Sequence, residues 1–212
     1  MTFKIFDIRI PAFILFTIIF FASPEAQTDK STLKAQIAVG LNQPSVSGFV
    51  SGFEAKPVNF PTINLGLQYQ FSSMLGAKFD LGYNRFSNKE NTRDFKVNAT
   101  RLNLQLVYDA SQVFNQNRFG LFLHAGPGIT MIKPLGNFPE NKTSYFNIIG
   151  GAEFHYGLSD TMSVFLDASY IAGFAKDFDP ITSGYGSFNG NLTTVSIGLS
   201  FSLSGCYFCE QR

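Results

Sequence analysis

Ile63-Asn64-Leu65-Gly66-Leu67-Gln68-Tyr69-Gln70-Phe71 alternates without a break: the odd positions are apolar and the even ones polar or glycine. A period of two puts the apolar side chains on one face of an extended strand and leaves the other face polar. Working outward, the same pattern returns. On the N-terminal side, Leu33, Ala35, Ile37, Val39 and Leu41 alternate with Lys34, Gln36, Ala38 and Gly40. On the C-terminal side, Ala77, Phe79, Leu81 and Tyr83 alternate with Lys78, Asp80 and Gly82. Leu102, Leu104, Leu106 and Tyr108 then oppose Arg101, Asn103 and Gln105.

Four more segments follow. Phe119, Leu121, Leu123, Ala125 and Ile129 face away from Arg118, Gly120, His124 and Gly126. Ile148, Ala152, Phe154 and Tyr156 oppose Asn147, Glu153 and His155. Met162, Val164, Leu166, Ala168 and Tyr170 oppose Ser163, Asp167 and Ser169. Val195, Ile197, Leu199, Phe201 and Leu203 oppose Ser196, Gly198, Ser200 and Ser202. Each segment has about the 9–11 residues that a tilted strand needs to cross a bilayer. Pro127 interrupts the fifth, and because proline cannot donate to a ladder, a bulge near the rim is expected there.

Composition separates two all-β architectures. Hydrophobic residues make up 45% of the 212 and charged residues only 15%, against about a quarter charged in a soluble domain. A soluble sandwich buries its apolar face; a membrane barrel turns it outward to lipid. The connections favour the barrel: long at 42–60, short at 72–76, long at 86–95, long at 133–143, short at 157–160 and long at 171–190. Alternating long loops and short turns are the rhythm of a membrane barrel, and the connection 109–117 is its weakest beat. The fold predicted is all-β: an eight-stranded antiparallel up-and-down transmembrane β-barrel. With 25 Phe, 8 Tyr and no Trp, Phe and Tyr must supply the interface girdles.

The N-terminus, MTFKIFDIRIPAFILFTIIFFASPEAQ, reads as an export signal. Lys4 and Arg9 precede an apolar core from Pro11 to Ala22, which is shorter than the roughly 20 residues a membrane helix needs. We expect a cleaved signal over 1–26 with Gln27 as the mature start, a barrel domain over 27–203 and a tail over 204–212. A net charge of +1 makes no case for nucleic acid.

Signal, alternating segments and closing strand together resemble the OmpA/OmpX-like outer-membrane barrel family of bacteria, barrel domain only. Ser196-Ile197-Gly198-Leu199-Ser200-Phe201-Ser202-Leu203 is similar to the family's insertion signal, with Ser196, Gly198, Phe201 and Leu203 at its marked positions. The resemblance implies a bacterial outer-membrane location and recognition by the barrel-assembly machinery. Two departures stand out: the chain continues to Arg212 beyond the closing strand, and no peptidoglycan-binding sequence follows.

The polar face carries Lys34, Lys78, Arg101 and Arg118 with Asp80, Glu153 and Asp167 as counter-charges. A buried ion needs a partner, so these seven are expected to form a lumen cluster. Phe122, Val107, Ile149 and Phe165 share that face and crowd it, and an eight-stranded interior is only just wide enough for side chains.

Glu153, His155 and Ser163 could assemble into the Ser–His–acid grouping of a lipid hydrolase, but they face the lumen rather than lipid. Cys206 and Cys209 are too few for a structural zinc site, and no cofactor is expected. The long loops carry aromatics among small residues, notably Phe49, Phe53, Phe174, Phe178 and Tyr185, which suits an adaptable contact surface. The expected role is therefore structural or interactive: a plugged, non-enzymatic barrel with lipid and lipopolysaccharide around it. A small non-specific channel, and then a lipid-modifying enzyme, are the alternatives, and the external ligand is not specified by the sequence.

Overall fold

The computed structural model describes residues 32–114 and 118–204. The signal read over 1–26, the mature start at Gln27, and Cys206 and Cys209 lie outside the described residues. The strands are β1 (Thr32–Pro44), β2 (Asn59–Gln70), β3 (Leu75–Ser87), β4 (Lys96–Asp109), β5 (Phe119–Leu135), β6 (Thr143–Gly157), β7 (Met162–Phe174) and β8 (Leu192–Ser202). Each pairs with its sequence neighbour, and β8 pairs antiparallel with β1, so the sheet is a closed barrel of eight strands. Closure leaves no strand edge unpaired, which a sheet in lipid requires. Past the strand ends the seam continues: Leu203 N–H donates to Leu33 O at 2.7 Å and Leu33 N–H to Ser204 Oγ at 2.9 Å.

The apolar set predicted for each strand faces outward. Leu65 and Leu67 of β2, Phe79 of β3, Leu104 and Leu106 of β4, and Ile197 of β8 are all large, apolar and exposed. An apolar skin over a polar interior is the inverse of a soluble protein and the arrangement lipid stabilises. At the short-turn end the skin finishes in aromatic rings. Phe114, Phe119, Phe154 and Tyr156 make contacts of 5.2–6.3 Å between centroids. The expected girdle is thus built from Phe and Tyr.

Strand length is the first correction. The strands run from 11 residues in β8 to 17 in β5, longer than the membrane-crossing minimum. The added residues lie mostly at the long-loop end, where the alternation changes sense. Within the apolar band, β4 turns Leu102 and Leu104 outward and Arg101 and Asn103 inward; above it, Lys96 and Asn98 face outward and Val97 and Ala99 are buried. β3 and β5 repeat the inversion with Arg85 against Phe86 and Lys133 against Ile132. A barrel rising out of lipid into water must swap its faces, and these strands do.

The bulge expected at Pro127 is absent. β4–β5 pairing holds one register from Lys96↔Leu135 to Asp109↔Phe122, although no pair forms at Leu104 and Gln105. Pro127 faces outward and pairs with Ile148 of β6. Gly126 supplies the accommodation, because a Cβ there would lie 2.0 Å from Leu104 O. The glycine lets β4 pass close beside the proline, so an extra residue is unnecessary. A register shift occurs instead in β1–β2, between Gly40 and Asn42.

Candidate functional site

The inward faces form two zones. The lower and middle lumen is polar, and Glu153 of β6 is its hub. One carboxylate oxygen pairs with Lys78 Nζ of β3. The other accepts from Gln36 Nε2 of β1 at 3.0 Å and meets His155 Nε2 at 2.8 Å. His155 Nδ1 reaches Ser163 Oγ of β7 at 3.0 Å. The imidazole stacks on Phe165 at 4.9 Å and meets the Phe122 ring edge-on at 4.8 Å. Lys34 Nζ sits over the Phe122 ring, 4.7 Å from its centroid.

A second knot joins His124 Nε2 of β5 to Asp167 Oδ2 of β7 at 3.0 Å, and Ser169 Oγ donates to Asp167 Oδ1 at 2.8 Å. Arg101 of β4 is 1% exposed and donates to Asn64 Oδ1 at 3.2 Å. Asp80 and Asp167 lie within electrostatic range of its guanidinium. Amide ties complete the zone: Asn147 with Asn103 at 2.6 Å and Thr130 at 3.0 Å, and Asn42 with Thr62 at 3.1 Å. Such groups stay buried at acceptable cost only because each charge faces a counter-charge or a hydrogen-bond partner.

Six of the seven predicted lumen charges, Lys34, Lys78, Asp80, Arg101, Glu153 and Asp167, are buried on the inward face. Arg118 is not. It is exposed in the turn before β5, where its carbonyl accepts the Gly157 N–H at 2.8 Å. Strand β5 starts one residue later, so parity alone could not carry this side chain inward, and in solvent it avoids the cost of an unpaired buried charge.

The second zone closes the long-loop end. Val50, Phe53, Phe86, Phe95, Val97, Ala99, Ile132, Tyr145 and Phe188 form one buried apolar cluster, with Phe49, Phe138, Phe178 and Tyr185 packed against it. Phe53 stacks on Tyr185 at 5.4 Å, and Phe49 meets Phe188 at 4.9 Å. Arg93 lies over both Phe53 and Tyr185, at 5.7 and 5.6 Å. The expectation of an outward aromatic contact surface is corrected here. Phe53 is 2% exposed, and Phe49, Phe178 and Tyr185 join the same cap, because rings bordering water bury more area against one another than against solvent. Phe174 belongs to β7 rather than to a loop and is exposed beside Phe146. Phe174 and Phe178 also line an open cleft of about 430 Å³ with Tyr145, Lys176 and Asp179.

The Ser163–His155–Glu153 grouping weighed and set aside on sequence grounds does form contacts, but all three residues are buried inside the barrel. His124, Glu153 and Asp167 place one ligating atom each within 4.8 Å of one another. At Glu153, however, the Lys78 ammonium already supplies the positive charge. Of the insertion-signal positions, Ser196 is buried inward, Phe201 faces outward and Leu203 lies just past β8. The sequence reading missed the cap residues Phe86, Val97, Ile132 and Tyr145. The signal for three of them was present as the swapped pairs Arg85–Phe86, Lys96–Val97 and Ile132–Lys133.

The profile of the outer membrane protein β-barrel domain family matches residues 12–202. Comparison with curated protein sequences finds no match. Among solved structures, a major outer membrane protein from Thermus thermophilus is similar at 7% identity and TM-score 0.57, over 82% of this chain and 100% of its own. The outer membrane protein OprG from Pseudomonas aeruginosa aligns at 13% identity and TM-score 0.55, over 82% and 97%. Neisserial surface protein A aligns at 14% identity and TM-score 0.52, over the same shares. At these identities the likeness is one of fold.

Proposed function

The chain belongs to the outer membrane protein β-barrel domain family, and from that premise we propose that it is a closed, non-enzymatic barrel with a structural and contact role in the bacterial outer membrane. The long-loop end faces outside and the short turns face the periplasm. Lipid and lipopolysaccharide surround the apolar skin. The barrel-assembly machinery reads the strand that carries Ser196, Gly198, Phe201 and Leu203.

One observation carries this reading: two closures in series, the Glu153 network and the aromatic cap. A solute would have to part a buried ion pair and then displace packed rings. Ion conductance of the refolded protein in a planar bilayer tests it, with insertion confirmed by heat-modifiable gel migration. We expect a silent bilayer. Stable, reproducible steps overturn the closed barrel and move the protein to the channel class.

A hydrolytic reading has the Ser163–His155–Glu153 contact in its favour. Yet the imidazole is held between Phe122 and Phe165, and Ser163 is buried within the lumen. An ester carbonyl has no approach to Oγ. The three residues act as a tie between β6 and β7.

A further inference from the structure

The inversion of faces leaves a cationic sector on the outside of the barrel. Arg85 of β3 pairs with Asn98 of β4, and Asn98 with Lys133 of β5. These three side chains therefore stand side by side on the outward face, one strand apart. Lys96 is the next outward residue on β4, two positions along. Directly below lie Tyr83, Thr100 and Met131, and below those Leu81, Leu102 and Ile129 of the apolar skin. The cations thus sit at the level where hydrocarbon gives way to headgroups.

Arg85 is held in place. Asn98 Oδ1 accepts from both Tyr83 Oη at 2.8 Å and Arg85 Nε at 2.9 Å. The terminal guanidinium nitrogens have no protein hydrogen bond among the described residues. Nor does any described carboxylate lie within ion-pair distance of Arg85, Lys96 or Lys133. On the next strands, Phe146 of β6, paired with Ile129, and Phe174 of β7 continue the apolar skin, in ring contact at 5.9 Å. The Arg85 guanidinium lies 5.8 Å from the Tyr83 ring, and no described carboxylate neutralises the three cations of this sector.

We propose that Arg85, Lys96 and Lys133, on the outward face of β3–β5, bind the headgroup phosphates of an anionic glycolipid of the outer leaflet. Arg85 supplies a planar fork suited to two phosphate oxygens. The two lysines, on β4 and β5 beside it, supply point charges, and the apolar band beneath receives the acyl chains. This proposal rests on the membrane placement given above.

Native mass spectrometry of the refolded, detergent-held barrel tests it with three probes: bis-phosphorylated lipid A, the same lipid dephosphorylated, and inorganic phosphate. Wild-type protein should retain bis-phosphorylated lipid A selectively. With each cation near an anionic surface contributing about fivefold, R85Q/K96Q/K133Q should weaken it on the order of a hundredfold. The loop variant K56Q/K89Q should bind as wild type. If the triple variant does not insert, the exposed pair K96Q/K133Q carries the test, with a loss of roughly thirtyfold. Equal retention of the dephosphorylated lipid, equal binding by inorganic phosphate, or wild-type affinity in the variants each overturns the site. Heat-modifiable migration of the same samples is scored separately. An inserted barrel that ignores lipid A phosphate sinks this proposal alone, whereas a wild-type chain that never shows the shift sinks the membrane placement.

Discussion

The lumen and the cap lie on the same inward faces of the same strands, yet they are built from opposite chemistry. Below, Arg101, Asn103 and Gln105 of β4 are buried among ions and amides; a few residues higher, Val97 and Ala99 are buried among rings. The outward neighbours explain the difference. Where lipid covers the outside, the outward residues must be apolar, and a polar inward set keeps the two faces of the strand distinct and its register specified. Where polar headgroups and water replace hydrocarbon on the outside, Lys96, Asn98 and Lys133 mark the outer face. Apolar packing inside then becomes the stabilising choice, as in a soluble core. The membrane boundary is thus written into β3, β4 and β5 as a reversal of alternation.

The contrast can be broken at several points. The largest effect should come from Glu153→Gln, which leaves Lys78 buried without its counter-charge. Losing one partner of a buried pair costs about 3–5 kcal/mol, read as a lower urea midpoint of the gel-mobility shift in refolded barrels. Replacing both partners, Lys78→Met with Glu153→Leu, should restore most of that midpoint. A double variant as unstable as the single would mean that the ions hold the lumen by more than mutual compensation.

Phe53→Ala should come next, at about 3 kcal/mol for a buried ring, but confined to the cap. Limited proteolysis should cut within 45–58 and 175–191 while the barrel's own urea midpoint stays near wild type. If that midpoint falls as far as in the Glu153 variant, cap and lumen are one cooperative unit and the division into two zones fails. Arg93→Ala removes only the cation over Phe53 and Tyr185, an effect of about 0.5–1 kcal/mol visible as modestly faster loop cleavage.

Smallest of all should be Lys89→Ala. Its ion pair with Glu54 spans 3.5 Å, but the side chains are 58% and 48% exposed. Solvent screening limits such a pair to about 0.5 kcal/mol or less, so urea midpoint and cleavage rate should both match wild type. Set against Glu153→Gln, this variant measures how much burial alone changes the consequence of removing one ion.

Much of the lumen was legible because a side chain's face follows from parity. Lys34, Lys78, Asp80, Arg101, Glu153 and Asp167 could be assigned inward by counting, and Arg118 failed because counting continued one residue past the strand start. The cap was poorly legible for a different reason. Phe49, Phe53, Phe178 and Tyr185 come from connections without period, and aromatic residues among glycine and serine read equally well as outward contacts or inward packing. Pro127 misled because the compensating feature, Gly126 against Leu104 O, is a cross-strand approach that no single segment reveals.

By itself the sequence determined which residues meet lipid, how many strands there are and their up-and-down order, since period-two alternation and loop length are local properties. Tertiary structure alone decided which inward residues touch. Glu153 is 75 positions from Lys78 and 117 from Gln36, and only closure of β8 onto β1 brings strands so distant in the chain around one axis. Alternation gives each side chain a face. Its height and bearing within the lumen come from the stagger of paired strands, which is a property of the closed barrel as a whole.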